Sequence, residues 1–201
     1  MKEMLRLVFV LTAICVAAGL LLAWVNELTA EPIAEAQRAE RIKAIRAVLP
    51  AYDNEPDTDT YTAEEDGRPW MFYIGRTQGR FTGAAFETSS DKGYSGTITV
   101  MAGVNADGRV HAIRILSHKE TPGLGAKIHE PEFTRQFAGR DLRSTGWAVR
   151  KDGGEIDQIT AATISSRAVV QAVHRGLQVY TKFEKEIRAV RSVDPKQTLE
   201  P

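Results

Sequence analysis

The chain has 201 residues, 43% of them hydrophobic, with 26 basic against 26 acidic side chains, enough for one domain of ordinary size plus an appendage but not for two catalytic domains. Zero net charge without a run of five like charges leaves no electrostatic footprint for nucleic acid, so no nucleic-acid partner is expected. A single cysteine, Cys15, excludes an intrachain disulfide, a cysteine-ligated metal centre and an iron–sulfur cluster.

Residues 7–25 carry no charge, and nineteen helical residues at about 1.5 Å each reach about 28 Å, close to the ~30 Å of a bilayer's hydrocarbon core. Lys2 and Arg6 precede this run, while Glu27 and Glu31 follow it. The positive-inside bias predicts a single transmembrane anchor over residues 1–28, with its N-terminus in the cytoplasm, the rest of the chain outside, and Trp24 at the interface. A cleaved signal peptide shares the basic start, but its apolar centre spans only about 7–15 residues, and Leu28-Thr29-Ala30 is a poor cleavage site. Gly19 with Ala17, Ala18 and Ala23 permits close packing against other membrane helices, lipid contact being the alternative.

A connecting helix is expected over residues 29–52, capped near Thr29 or Glu31, with Pro32 in its first turn, Ile42, Ile45, Val48 and Leu49 on one stripe, and Pro50 as its stop. Residues 53–66 read as a polar loop. Strands are predicted at 70–74, 81–86, 94–104 and 110–116, the last two joined by a hairpin turn at Asn105-Ala106-Asp107-Gly108. A short helix over 128–137 would place Phe133 and Phe137 on one face, and residues 142–151 lead toward a last strand. The main domain is expected to end at residue 185, leaving 186–201 as a charged tail.

Two stretches carry chemistry. In Asp157-Gln158-Ile159-Thr160-Ala161-Ala162-Thr163-Ile164-Ser165-Ser166, hydroxyls precede an amphipathic run in which Ala168, Ala172, Val173 and Leu177 recur at helical spacing. Thr163 therefore sits at or just before a helix N-terminus, where unpaired N–H groups and the helix dipole favour a phosphate. Thr160, Ser165 and Ser166 can add hydroxyls to the phosphate oxygens, or they can simply cap the helix. The second stretch, Ser117 through Ile128, contains Thr121-Pro122-Gly123-Leu124-Gly125, a turn that can bring backbone close to a ligand. The four histidines, 111, 118, 129 and 174, form no ligand constellation, so no metal is expected, and neither a nucleophile elbow nor a P-loop is present.

Asp157-Gln158-Ile159-Thr160-Ala161-Ala162-Thr163 resembles the flavinylation motif of the FMN-binding domain family, found in the G subunit of the Rnf ion-translocating electron transport complex and in the C subunit of the sodium-pumping NADH:quinone oxidoreductase. The His118–Gly125 stretch and Gly93-Tyr94-Ser95-Gly96 before it resemble the same family, which departs from this chain in usually having glycine at the place of Ala161. The resemblance implies an α+β fold: a transmembrane helix followed by one FMN-binding domain (residues 53–185) with an antiparallel sheet and flanking helices. It makes Thr163 the acceptor of a covalent FMN phosphoester, attached by a flavin transferase that reads Asp157, Thr160, Ala162 and Thr163. It also places Glu120 and Thr121 near the isoalloxazine ring, beside the Gly123, Leu124 and Gly125 loop.

The function so implied is that of a redox subunit without independent catalysis, passing electrons with other membrane and peripheral subunits of an Rnf-type ferredoxin:NAD oxidoreductase that pumps ions. The compact link between anchor and domain favours this over the equivalent component of the quinone reductase or a freestanding extracytoplasmic flavoprotein. A non-redox assembly module lacking flavin stays open because of Ala161.

Overall fold

The structure, a computed structural model, describes residues 1–190, and the part of the expected tail at 191–201 lies outside the described residues. Two compact units divide it, one over Met1–Arg41 and one that begins at Ile42.

The first unit is helical from Lys2 onward and belongs to α1 (Lys2–Val48). Its apolar stretch has mean hydropathy 2.6 and buries none of its residues in the protein, so by length and composition α1 can cross a membrane. The separate helix expected to start near Thr29 is absent as such, because α1 continues through Pro32. Thr29 caps nothing: its hydroxyl donates back to the Val25 carbonyl at 2.9 Å. Proline forfeits one helical hydrogen bond, a loss the remaining ladder of a long helix tolerates.

In the second unit five strands, β1 (Thr60–Glu65), β2 (Arg68–Thr77), β3 (Arg80–Gly93), β4 (Gly96–Asn105) and β5 (Val110–Ser117), form an antiparallel meander in sequence order. The expected α+β class holds. Period-two alternation gives the sheet two apolar faces. Phe72, Ile74, Ala84, Phe86, Val100, Ala102 and Val104 face α3 (Thr163–Ala189), whereas Tyr73, Ala85 and Met101 meet Ala44, Ile45, Val48 and Leu49 on the other side. Glycines set both approaches. A Cβ on Gly176 of α3 would lie 2.4 Å from Phe86 Cε2, and one on Gly103 would lie 1.9 Å from the Val48 carbonyl oxygen. Thr88 of β3 donates its hydroxyl to the Ala172 carbonyl at 2.8 Å, which adds a polar lock between sheet and helix.

Three local expectations change. Residues 60–65, read as loop, form the edge strand β1: pairing with β2 supplies the backbone bonds, so only Ala63 needs burial and the rest stays polar. The helix over 128–137 is broken at Pro131 into 3-10 turns at Gly125–His129 and Arg135–Phe137 around α2 (Pro131–Thr134), although Phe133 and Phe137 still meet edge to face at 5.5 Å. Near 142–151 there is no strand, only a bridge from Val149 to Ile156 and a 3-10 turn at Arg150–Asp152. The turn at 105–108 forms as expected, with Gly108 at φ 79°.

Candidate functional site

Three segments far apart in sequence converge on one cleft: the β3–β4 hairpin tip at Tyr94, the loop after β5, and the start of α3. The cleft encloses about 420 Å³ and is lined by Tyr94, Glu120, Thr121, Leu124 and Gly125 together with residues 161–165.

Two turns shape it. Thr121-Pro122-Gly123-Leu124 closes with the Leu124 N–H on the Thr121 carbonyl at 3.2 Å, proline second and glycine third at φ 75°, the pattern of a type II turn. Ile159-Thr160-Ala161-Ala162 closes likewise at 3.0 Å, with Ala161 third at φ 63°. The position where the family usually has glycine is thus left-handed here, held by an alanine.

Helix α3 begins at Thr163 with no side-chain cap on its first turn. The Ser166 N–H makes the first helical bond, to Ala162 O at 3.1 Å, so the N–H groups of Thr163, Ile164 and Ser165 have no place in the helical ladder. Thr163, half-buried, stands at this mouth and on the cleft wall. Leu124 and Ile164, each 46% exposed, and Tyr94, 70% exposed, give the rim an apolar surface.

The other predicted residues divide. Glu120, Thr121, Leu124, Gly125, Ala162, Thr163 and Ser165 line the cleft, while Gly123, Asp157, Thr160 and Ser166 do not. Both serine hydroxyls have partners within the protein. Ser165 donates to Glu120 Oε2 at 2.6 Å, and Ser166 donates to Ala162 O while accepting the Ile159 N–H, both at 3.0 Å. Glu120 is buried, its carboxylate turned toward these protein donors. Thr160 is exposed on its turn. Asp157 also points outward, paired with Arg150 at 2.6 Å, while the Gln136 side chain brackets its backbone, accepting its N–H at 2.7 Å and donating to its carbonyl at 3.2 Å.

Sequence reasoning missed Ile164 as a lining residue, and Gln136 and Arg150 as supports. The Gly93–Gly96 resemblance was the signal that could have marked Tyr94. Asp152 and Arg167 form a two-bond pair, both distances 2.6 Å, which ties the 3-10 turn to α3. That pairing lowers the Asp152 pKa and raises that of Arg167. Among the described residues no group of three or more His, Cys, Asp or Glu side chains is placed to hold a metal. A larger groove of about 740 Å³ runs along α3, spanned by the Arg175–Asp66 and Lys182–Glu65 pairs, but it includes none of the predicted residues.

Residues 93–178 match the FMN-binding domain family and residues 1–48 match the RnfG N-terminal region. The G subunit of the ion-translocating oxidoreductase complex of Pseudomonas aeruginosa is 38% identical over 200 residues, covering 94% of both chains. The protein of the same name from Cereibacter sphaeroides is 39% identical over 180 residues, 86% of this chain and 82% of its own. That of Stutzerimonas stutzeri is 41% identical over 171 residues, 81% and 74%. Two solved structures share the fold. The C subunit of the Na(+)-translocating NADH-quinone reductase from Parabacteroides distasonis superposes with TM-score 0.51 at 21% identity, covering 69% of this chain and 79% of that one. NqrC of Shewanella oneidensis gives 0.52 at 19%, covering 72% and 73%. With relatives at this level of identity along nearly its whole length, the chain belongs to the G-subunit family of ion-translocating oxidoreductase complexes.

Proposed function

We propose that this chain is a membrane-anchored electron-transfer subunit that carries FMN within an Rnf-type ion-translocating oxidoreductase, tethered through a phosphoester to Thr163 Oγ1. The observation that carries the reading is a threonine hydroxyl at the uncapped first turn of a 27-residue helix, on the wall of a cleft of about 420 Å³. The residues present fit such a group. Three N–H groups and the positive end of α3 suit a phosphate, and the exposed Tyr94, Leu124 and Ile164 suit a flat, largely apolar ring system. Bound FMN would supply the redox centre, accepting electrons from one partner and returning them to another.

The chain's own part is to hold, orient and keep. Thr163 would fix the phosphate, and the Thr121–Leu124 turn, which Gly123 allows at φ 75°, would set one wall. A covalent tether prevents loss where no pool of free cofactor replaces what dissociates. Asp157 would be read by the flavin transferase, a reading supported by its exposure and by the Gln136 brace on its backbone. Lys2 and Arg6 before the apolar stretch, with Glu27 and Glu31 after it, put the N-terminus in the cytoplasm and the flavin domain on the extracytoplasmic side. Catalysis belongs to the complex, through the other membrane and peripheral subunits.

Intact-mass analysis of the protein from its own membranes tests the tether. Wild type is expected to carry the mass of one FMN less one water and to fluoresce in a denaturing gel, and Thr163→Val is expected to do neither. A dark wild-type band from cells that also make the transferase would overturn the reading.

A further inference from the structure

The acidic side chain in the cleft lining, Glu120, is only 5% exposed, and each of its carboxylate oxygens is bonded to a different element. Oε2 accepts the Ser165 hydroxyl at 2.6 Å, on the first turn of α3, and Oε1 accepts the Ser95 N–H at 3.1 Å, at the β3–β4 hairpin tip. The Glu120 backbone N–H meanwhile donates to His118 Nδ1 at 3.1 Å, which fixes the loop from which the side chain departs. One carboxylate thus joins the three segments that make the cleft, across sequence separations of 25 and 45 residues. It lies against the third residue of a long helix, where a negative charge is also favoured by the helix dipole.

Gly125 gives an independent sign that this arrangement is built in. It does not have a left-handed φ, so no backbone conformation calls for glycine there. A Cβ at that position would instead lie 2.6 Å from Glu120 Oε2, 2.7 Å from Ser165 Oγ and 3.0 Å from Glu120 Cβ. The space that glycine leaves open is the space this pair occupies. Ser165 stands two residues beyond Thr163, so whatever holds Ser165 also holds the first turn from which Thr163 projects.

We infer that Glu120 is a positioning residue: it preforms the cleft by binding the first turn of α3 and the hairpin tip to one loop. Its use in flavin attachment rests on the reading of Thr163 given above, whereas the three-way tie does not.

The test uses the full-length chain in detergent, as Glu120→Ala, Glu120→Gln, Ser165→Ala and the Glu120→Ala/Ser165→Ala double variant, each also in a Thr163→Val background that takes no flavin. Amide hydrogen exchange in that background is expected to speed up at least tenfold in peptides covering 93–96 and 161–166 in Glu120→Ala. The double variant should be no worse than the single one, because both lose the same bond. Ser165→Ala, which removes only the bond to Glu120 Oε2, carries the measurement at 161–166 if Glu120→Ala does not accumulate. Glu120→Gln keeps the side chain's shape but presents an amide NH2 to one of two donors. With the transferase and a flavin nucleotide donor, its maximal attachment rate is expected to fall at least tenfold while the half-saturating chain concentration stays put, since Asp157 lies outside the cleft. Unchanged exchange at 93–96 and 161–166, or attachment to Glu120→Gln at the wild-type rate, overturns the inference. Should wild type itself accept no flavin, the Thr163 reading falls, and exchange alone decides the tie.

Discussion

At position 161 the backbone requires a left-handed residue and the chain supplies an alanine. Ala161→Gly removes roughly 1–2 kcal/mol of strain and adds roughly 0.5–1 kcal/mol of unfolded-state entropy, for a net stabilisation of about 1 kcal/mol or less. Urea denaturation of the detergent-solubilised protein should show a raised midpoint with an unchanged slope. The reverse holds at Gly125, where a methyl group meets the Glu120–Ser165 pair instead of open space. Gly125→Ala is expected to cost about 1–3 kcal/mol through overpacking, measured the same way. Two small residues on one cleft therefore respond oppositely, one governed by torsion and the other by volume.

At the scale of elements, the seat of α3 on β3 depends on Gly176. Alanine there gains about 1 kcal/mol of helix propensity, but its methyl would sit 2.4 Å from a Phe86 ring already packed at 5.7 Å from Phe72 and 6.1 Å from Tyr180. The ring has nowhere to go, so Gly176→Ala should be destabilising by about 1–2 kcal/mol, overpacking outweighing propensity. An unchanged thermal midpoint would show that the helix can shift instead.

The loop before the Arg150–Asp152 turn has its own sensitivity, to pH. The Ser144 hydroxyl, then the backbone N–H groups of Ser144 and Arg143, hold the Asp141 carboxyl down at about 2 from its ordinary 3.8. A depressed carboxyl pKa means that its contribution is complete above about pH 4 and disappears as pH falls toward 2. The Trp147 indole N–H, bonded to the Asp141 carbonyl at 3.1 Å, reports on that loop. Its NMR resonance should stay constant down to about pH 4 and then shift in a titration centred near the depressed value of about 2. In Asp141→Asn that transition should be missing.

At the scale of the whole molecule, α1 makes the protein a membrane protein. Anchoring of this kind rests on apolar burial, which salt does not screen, so the chain should remain with membranes through high-salt and alkaline washes and leave only with detergent. A reporter fused after residue 201 tests the orientation: one that folds only outside the cytoplasm should be active, and one active only inside should be silent.

The sequence by itself determined the parts whose physics is local. Nineteen uncharged residues specify a span, alternation specifies β3, β4 and β5, the recurrence of Ala168, Ala172, Val173 and Leu177 specifies the face of α3, and Pro122-Gly123 specifies its turn. Only the tertiary structure decided the rest. β1 is a strand because β2 lies beside it, a fact its polar residues do not encode. Pro32, expected in the first turn of a separate helix, lies inside α1, and Pro131 broke a helix expected to be continuous. Ser165 and Ser166 could be read as phosphate ligands or as helix caps, and the fold bonds one to Glu120, 45 residues away, and the other within its own turn. Periodicity records which side of a segment is buried, but the partner of a buried polar atom depends on where the chain returns, and that is settled only when the sheet has closed against its helix.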